Sequence, residues 1–115
     1  VTKPVLNCLF VCSKNKWRSP TAEQIFSERD DLQCDSAGLS NDAEVPLSIE
    51  LIEWADMIFV MEKQHKSKLA AQFKPHLAGK KVICLNIPDN YKFMDPELVK
   101  LLDRKVMPFL PKYYS

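Results

Sequence analysis

The sequence predicts an α/β fold of three layers, a four-stranded parallel sheet with helices on both faces. Two observations carry this. Short, almost continuously apolar runs such as Val5 to Val11 and Met57 to Met61 read as strands buried on both sides. They alternate with segments of helical periodicity in the order β-α-β-α-β-α-β-α, which requires parallel pairing with right-handed crossovers.

The first strand is Val5 to Val11. Ser19 and Pro20 open a helix, because proline in a first turn lacks only an N–H that would be unpaired there anyway. Ala22, Ile25 and Phe26 give it an apolar face up to about Arg29. Leu32 to Ala37 is the second strand, closed by Gly38. A short helix over Ser48 to Ala55 carries Ile49, Ile52 and Trp54, with Trp54 expected in the core. The third strand is Met57 to Met61, and Lys63 to Phe73 is a helix with Leu69 and Phe73 inward. Val82 to Asn86 is the fourth strand. Asp95 caps a last helix with Pro96 in its first turn and Leu98, Leu101, Leu102 and Val106 as its buried stripe, ending near Phe109. The closing Lys112 to Ser115 reads as a frayed tail.

The length of 115 residues suits one domain, residues 1–115. A net charge of +1 makes no demand for nucleic acid or a membrane surface, and neither is expected as a partner. Val5 to Val11 is too short to cross a bilayer, and no small-residue cleavage site follows it. The expected setting is therefore a reducing cytoplasm. Of the four cysteines, none forms a Cys-x2-Cys pair, so no metal site and no cofactor are expected. His65 and His76 read as solvated groups on an exposed helix face.

Cys12 stands apart from the other cysteines. It ends a buried strand and opens the loop "CSKNKWRSP", with Arg18 at Cys-x5-Arg spacing. The bare spacing is weak; its place between a strand and a helix start sharpens it, since ligands of open parallel sheets bind at the carboxyl ends of strands. A cysteine attacks phosphorus as its thiolate, and inward backbone N–H groups beside a helix N-terminus stabilise such negative charge. The same cradle fits phosphate oxygens, and Arg18 can hold two of them at once with its planar fork. Ser13, Lys14, Asn15, Lys16 and Trp17 line this expected anion site. Ser19 donates to the sulfur, and Lys14 and Lys16 draw in anions.

"VCSKNKWRSPTAE", with "DSAG" at Asp35 to Gly38, "ADMIFVME" at Ala55 to Glu62 and "NIPDNY" at Asn86 to Tyr91, resembles the low-molecular-weight protein tyrosine phosphatases. The likeness is to their short bacterial, phosphatase-like branch and covers nearly the whole chain. It implies strand order 2-1-3-4, Cys12 as nucleophile through a cysteinyl-phosphate intermediate, Arg18 as phosphate clamp, and Asn15 holding the loop by a bond to Ser36. It implies a phosphotyrosyl protein or small aryl phosphate as substrate, inorganic phosphate and vanadate as ligands, and a monomer or weak dimer.

The resemblance also asks for an aspartate as general acid, and two compete. Asp95 precedes a proline as the family's acid does, yet Asp95, Pro96 and Glu97 are already explained as a helix start. Asp89 lies just beyond the fourth strand, at the edge where Cys12 sits, with Tyr91 placed to line the pocket. Asp89 is therefore the expected acid. Lys14 stands where the family often has glycine, which raises the expectation of a strained backbone there. Trp17 replaces a second cysteine and is expected to pack beside the loop. Asn90 replaces a proline, and the segment from Gly38 to Ser48 is short. Two other readings stay open: an arsenate reductase-like enzyme, although only Cys84 lies in the second half of the chain, and a non-catalytic phosphate- or phosphoprotein-binding module.

Overall fold

The computed structural model describes residues 5–111, so the tail read at 112–115 lies outside the described residues. Four parallel strands form one sheet in the order β2-β1-β3-β4: β1 Leu6–Cys12, β2 Leu32–Gly38, β3 Met57–Val60 and β4 Lys81–Cys84. Between and after them run α1 Arg18–Phe26, α2 Ile49–Trp54, α3 Lys63–Phe73 and α4 Pro96–Val106. The predicted class and strand order are both observed.

Alternation along the strands divides the core into two layers. Cys8, Phe10 and Cys12 of β1, with Met57 and Phe59 of β3, meet Ala22 and Phe26 of α1 and Leu98, Leu102 and Val106 of α4. Phe10 stacks between Phe26 and Phe59 at centroid distances of 5.7 and 5.2 Å. On the opposite face Leu9, Val11, Ile58 and Val60 pack on Ile52 of α2 and Leu69 of α3. Burying each such large side chain contributes about 1.5–3 kcal/mol, which is why both faces of this narrow sheet must be covered.

The ends of α1 and β4 differ from expectation for visible reasons, and α2 buries less than expected. Helix α1 stops at Phe26 because Arg29 leaves the helical path to place both nitrogens of its fork, Nε and Nη2, on the buried Asp31 at 2.9 and 2.7 Å. Strand β4 stops at Cys84 because Asn86 takes φ 55, a left-handed conformation that turns the chain out of the sheet. Lys105 secures that turn by donating to the carbonyls of Leu85 and Asn86. In α2, Ile49 is exposed and Trp54 only half-buried, so Ile52 alone is its core anchor. Asp95 caps α4 as expected, accepting from the Glu97 N–H at 2.9 Å.

Candidate active site

The loop between β1 and α1 is shaped from outside. The carbonyls of Cys12, Ser13 and Lys14 accept hydrogen bonds from the N–H groups of Leu39, Ser40 and Glu44, at 3.0, 2.9 and 3.0 Å. Across a trans peptide the C=O of one residue and the N–H of the next point in opposite directions. Turning these three carbonyls outward therefore aims the N–H groups of Ser13, Lys14 and Asn15 inward. The Asn15 N–H does reach the Cys12 Sγ, at 3.2 Å. The segment after β2 thus serves as the back wall of the loop. It fits because Gly38 has no side chain: a Cβ there would lie 2.5 Å from the Ser13 carbonyl oxygen and 2.9 Å from the Asn15 nitrogen.

Asn15 is the loop's left-handed residue, at φ 54. Its buried amide Nδ2 donates to Ser19 Oγ at 3.0 Å and to Ser36 Oγ at 2.9 Å. Ser36 in turn donates to Glu23 Oε1 at 2.5 Å. Ser19 Oγ, which accepts from Asn15, lies 3.0 Å from the Cys12 sulfur. The expected Asn15–Ser36 bond and Ser19–Cys12 contact are both present. Lys14, by contrast, is not in the left-handed region; the conformation anticipated for it falls on the following residue, where asparagine tolerates it.

Arg18 is almost fully buried. Its Nη1 donates to Glu62 Oε1 at 2.6 Å and to the Ile87 carbonyl at 2.8 Å, and Nε lies 3.6 Å from Asp89 Oδ1. A cavity of about 180 Å³ opens here, lined by Cys12, Ser13, Lys14, Lys16, Trp17, Arg18 and Asp89. Asp95 is not on this wall and spends its carboxylate on the α4 cap. Neither is Tyr91, which the structure turns down against the α1/α4 layer, while Phe93 is left exposed. Trp17 is half-buried and, instead of packing away from the site, lines this cavity.

The two lysines are unequal. Lys14 Nζ is 2.6 and 2.8 Å from the two Asp42 oxygens, and Lys14 with Ser40 holds the exposed Asp42 carboxyl down at about 2. Its charge is locally balanced. Lys16 instead lies 5.3 Å from the Trp17 ring centroid, so the pull on anions at the mouth falls mainly to it.

His65 corrects the sequence reading outright: it is fully buried, not solvated. Its Nδ1 accepts from the Glu62 N–H at 3.0 Å, which places the proton on Nε2, 3.0 Å from Ser13 Oγ. Burial first, and the nearby Arg18 charge second, lower its pKa to about 4. His65 and Glu62 were missed for a common reason. Both belong to a reciprocal cap at the start of α3, in which the Glu62 carboxylate accepts from the third helical N–H and His65 replaces the usual Glu or Gln. The usable signal was position: Glu62 follows a buried strand at its carboxyl edge.

Comparison with known proteins agrees with this geometry. Residues 7–53, from β1 through the loop and its back wall, match the family of low molecular weight phosphotyrosine protein phosphatases. A protein-arginine-phosphatase of Bacillus subtilis (strain 168) is 33% identical over 95 residues, 59% of this chain and 63% of that relative. The chain spans somewhat less than two thirds of that Bacillus relative. A YwlE arginine phosphatase structure, a Cys-to-Ser mutant with a phosphorylated active site serine, superposes with a TM-score of 0.68 at 27% identity, covering 93% of this chain and 97% of the other. The low molecular weight protein tyrosine phosphatase of Streptococcus pyogenes shares the fold at TM-score 0.75 and 17% identity, over 95% and 96% of the two chains. No helix among the described residues is long and apolar enough to cross a membrane.

Proposed function

We propose that this chain is a cysteine-dependent phosphomonoester hydrolase acting on phosphotyrosyl protein. The observation that carries the reading is the Cys12 sulfur at the cavity wall, within reach of the Asn15 N–H and the Ser19 hydroxyl. The loop amides and Arg18 hold the phosphoryl oxygens, with Nη1 anchored on Glu62 and Ile87 so that the fork keeps one orientation. Cys12 attacks phosphorus as its thiolate, the P–O bond to the leaving group breaks, and Asp89 gives that oxygen a proton. Water then attacks the cysteinyl phosphate with Asp89 as base. The P–S bond breaks while Ser19 donates to the departing sulfur. Asp89 is favoured over Asp95 because it shares the cavity with Cys12 and Arg18. A cytoplasmic setting, in which the four free thiols stay reduced, is part of the proposal.

Tyrosine is chosen as the phosphorylated residue on the Trp17 ring and the Lys16 charge at the mouth. An aryl group stacks on the first and its flanking acidic residues meet the second. The second reading is phosphoarginine, favoured by the activity of the Bacillus relative. The test is release of phosphate from an aryl phosphate by wild type and Cys12→Ser, with vanadate as competitor. It is followed by matched peptides carrying phosphotyrosine or phosphoarginine. Release independent of Cys12 overturns the hydrolase reading, and faster release from phosphoarginine overturns the tyrosine assignment.

A further inference from the structure

Cys8 of β1 and Cys34 of β2 are register partners on adjacent parallel strands. Neighbouring strands run about 4.8 Å apart, so directly paired residues fall within the Cα separation of about 4.4–6.8 Å that a disulfide spans. In a parallel pair the two side chains leave the sheet on the same face, and both sit in the α1/α4 layer. Cys8 is wholly buried and Cys34 partly exposed, and both are free thiols. Neither lines the cavity that holds Cys12.

The two thiols are also unlike each other. The neighbouring Cys8 thiol and the Ser27 hydroxyl both favour negative charge on the Cys34 sulfur. These neighbours, helped by the Arg29 charge and opposed by burial and by Glu23, lower the pKa of Cys34. Cys8 is pushed up, first by the nearness of Cys34 and then by burial. An accessible, thiolate-prone sulfur directly above a protonated buried one is the arrangement in which the first is oxidised and the second resolves it.

We propose that Cys8 and Cys34 are a redox-active pair that closes a disulfide between β1 and β2 when the folded protein meets a peroxide. The Cys34 thiolate attacks a peroxide oxygen, the O–O bond breaks, and hydroxide leaves to take up a proton, giving sulfenic acid and water. The Cys8 sulfur then attacks the Cys34 sulfur. An S–S bond forms, the S–O bond breaks, and the oxygen departs as a second water with the Cys8 proton. The two thiols together lose two electrons, and one hydrogen peroxide is reduced. The link joins β1 to the strand that carries Ser36 and Gly38, the two β2 residues in contact with the catalytic loop.

The experiment exposes the folded protein to hydrogen peroxide, alkylates the remaining thiols, and digests it without reductant for mass spectrometry. A linked peptide pair carrying Cys8 and Cys34, two hydrogens lighter than the reduced pair and released by dithiothreitol, is the expected result. Cys34→Ser abolishes the link and leaves Cys8 open to alkylation after unfolding. Cys8→Ala traps the sulfenic acid, read as a dimedone adduct on Cys34. Cys84, whose Sγ donates to Asn86 Oδ1, is the internal control and stays alkylatable. Recovery of Cys34 as an unoxidised thiol while Cys12 is oxidised overturns the proposal. So does a dimedone adduct on wild-type Cys34 with Cys8 still free. If Cys8→Ala does not fold, the wild-type link decides the matter by itself.

Discussion

Nε2 of His65 lies 3.0 Å from Oγ of Ser13, tying the buried start of α3 to the residue that follows the proposed nucleophile. The bond needs a neutral ring, because Nδ1 is already an acceptor for the Glu62 N–H.

That requirement sets a pH dependence. The folded state holds the His65 pKa at about 4, below its ordinary 6.5, so the unfolded chain binds more protons between those values. The stabilisation is complete above the unfolded pKa and is lost as pH falls toward the folded one, by up to about 3 kcal/mol. Urea unfolding of wild type should show this loss on acidification, and His65→Gln should lose the part of the slope due to this group. An unchanged slope in the variant would remove His65 from the account.

Glu62 should matter through Arg18. In Glu62→Gln the charge-assisted bond to Nη1 becomes a neutral one, roughly half as strong. The fork still binds anions but is less firmly aimed, so kcat should fall about tenfold while competitive inhibition by inorganic phosphate persists. Steady-state kinetics at several phosphate concentrations separates the two effects. A loss of phosphate binding equal to the loss in kcat would assign Glu62 to binding alone.

The two aspartates can be told apart by leaving group. Asp89→Ala should slow phenyl phosphate by about 10²–10⁴-fold and an activated nitrophenyl ester far less. Asp95→Ala should leave turnover intact and cost about 1 kcal/mol of stability through the lost cap. Reversal of these profiles would move the acid to Asp95.

Gly38→Ala probes the back wall. The added methyl would sit 2.5 Å from a backbone oxygen and 2.6 Å from the Ala43 Cβ, so the loop or the wall must shift. A stability loss of about 1–3 kcal/mol is expected, with turnover down at least tenfold by the same displacement. Activity equal to wild type would mean the loop's shape does not depend on this contact.

The fold was legible because its two central strands, β1 and β3, are buried on both faces and β4 reads as equally apolar. "LFV", "MIFV" and "VIC" have no polar alternation to be misread, and the Asp95–Pro96 start of α4 is spelled out locally. In the site, Cys12, Asn15, Arg18 and Ser19 were legible because one loop carries them all. His65 and Tyr91 were not, since a residue's facing depends on the turn before it. His65 looks inward because of a cap formed with Glu62, and Tyr91 because Asn86 reverses the backbone. Neither event leaves a periodic trace. The back wall was equally hidden, as its contacts are made by backbone N–H groups, which every sequence possesses.

Two left-handed residues, Asn86 and Met94, bracket the stretch that carries Asp89. Each bracket is pinned from outside: Lys105 grips the carbonyls at one end, and the Thr21 hydroxyl accepts from the Met94 N–H at the other. The reach of Asp89 is therefore set by three exposed residues, 88–90, held between fixed ends, while Tyr91 behind them belongs to the core.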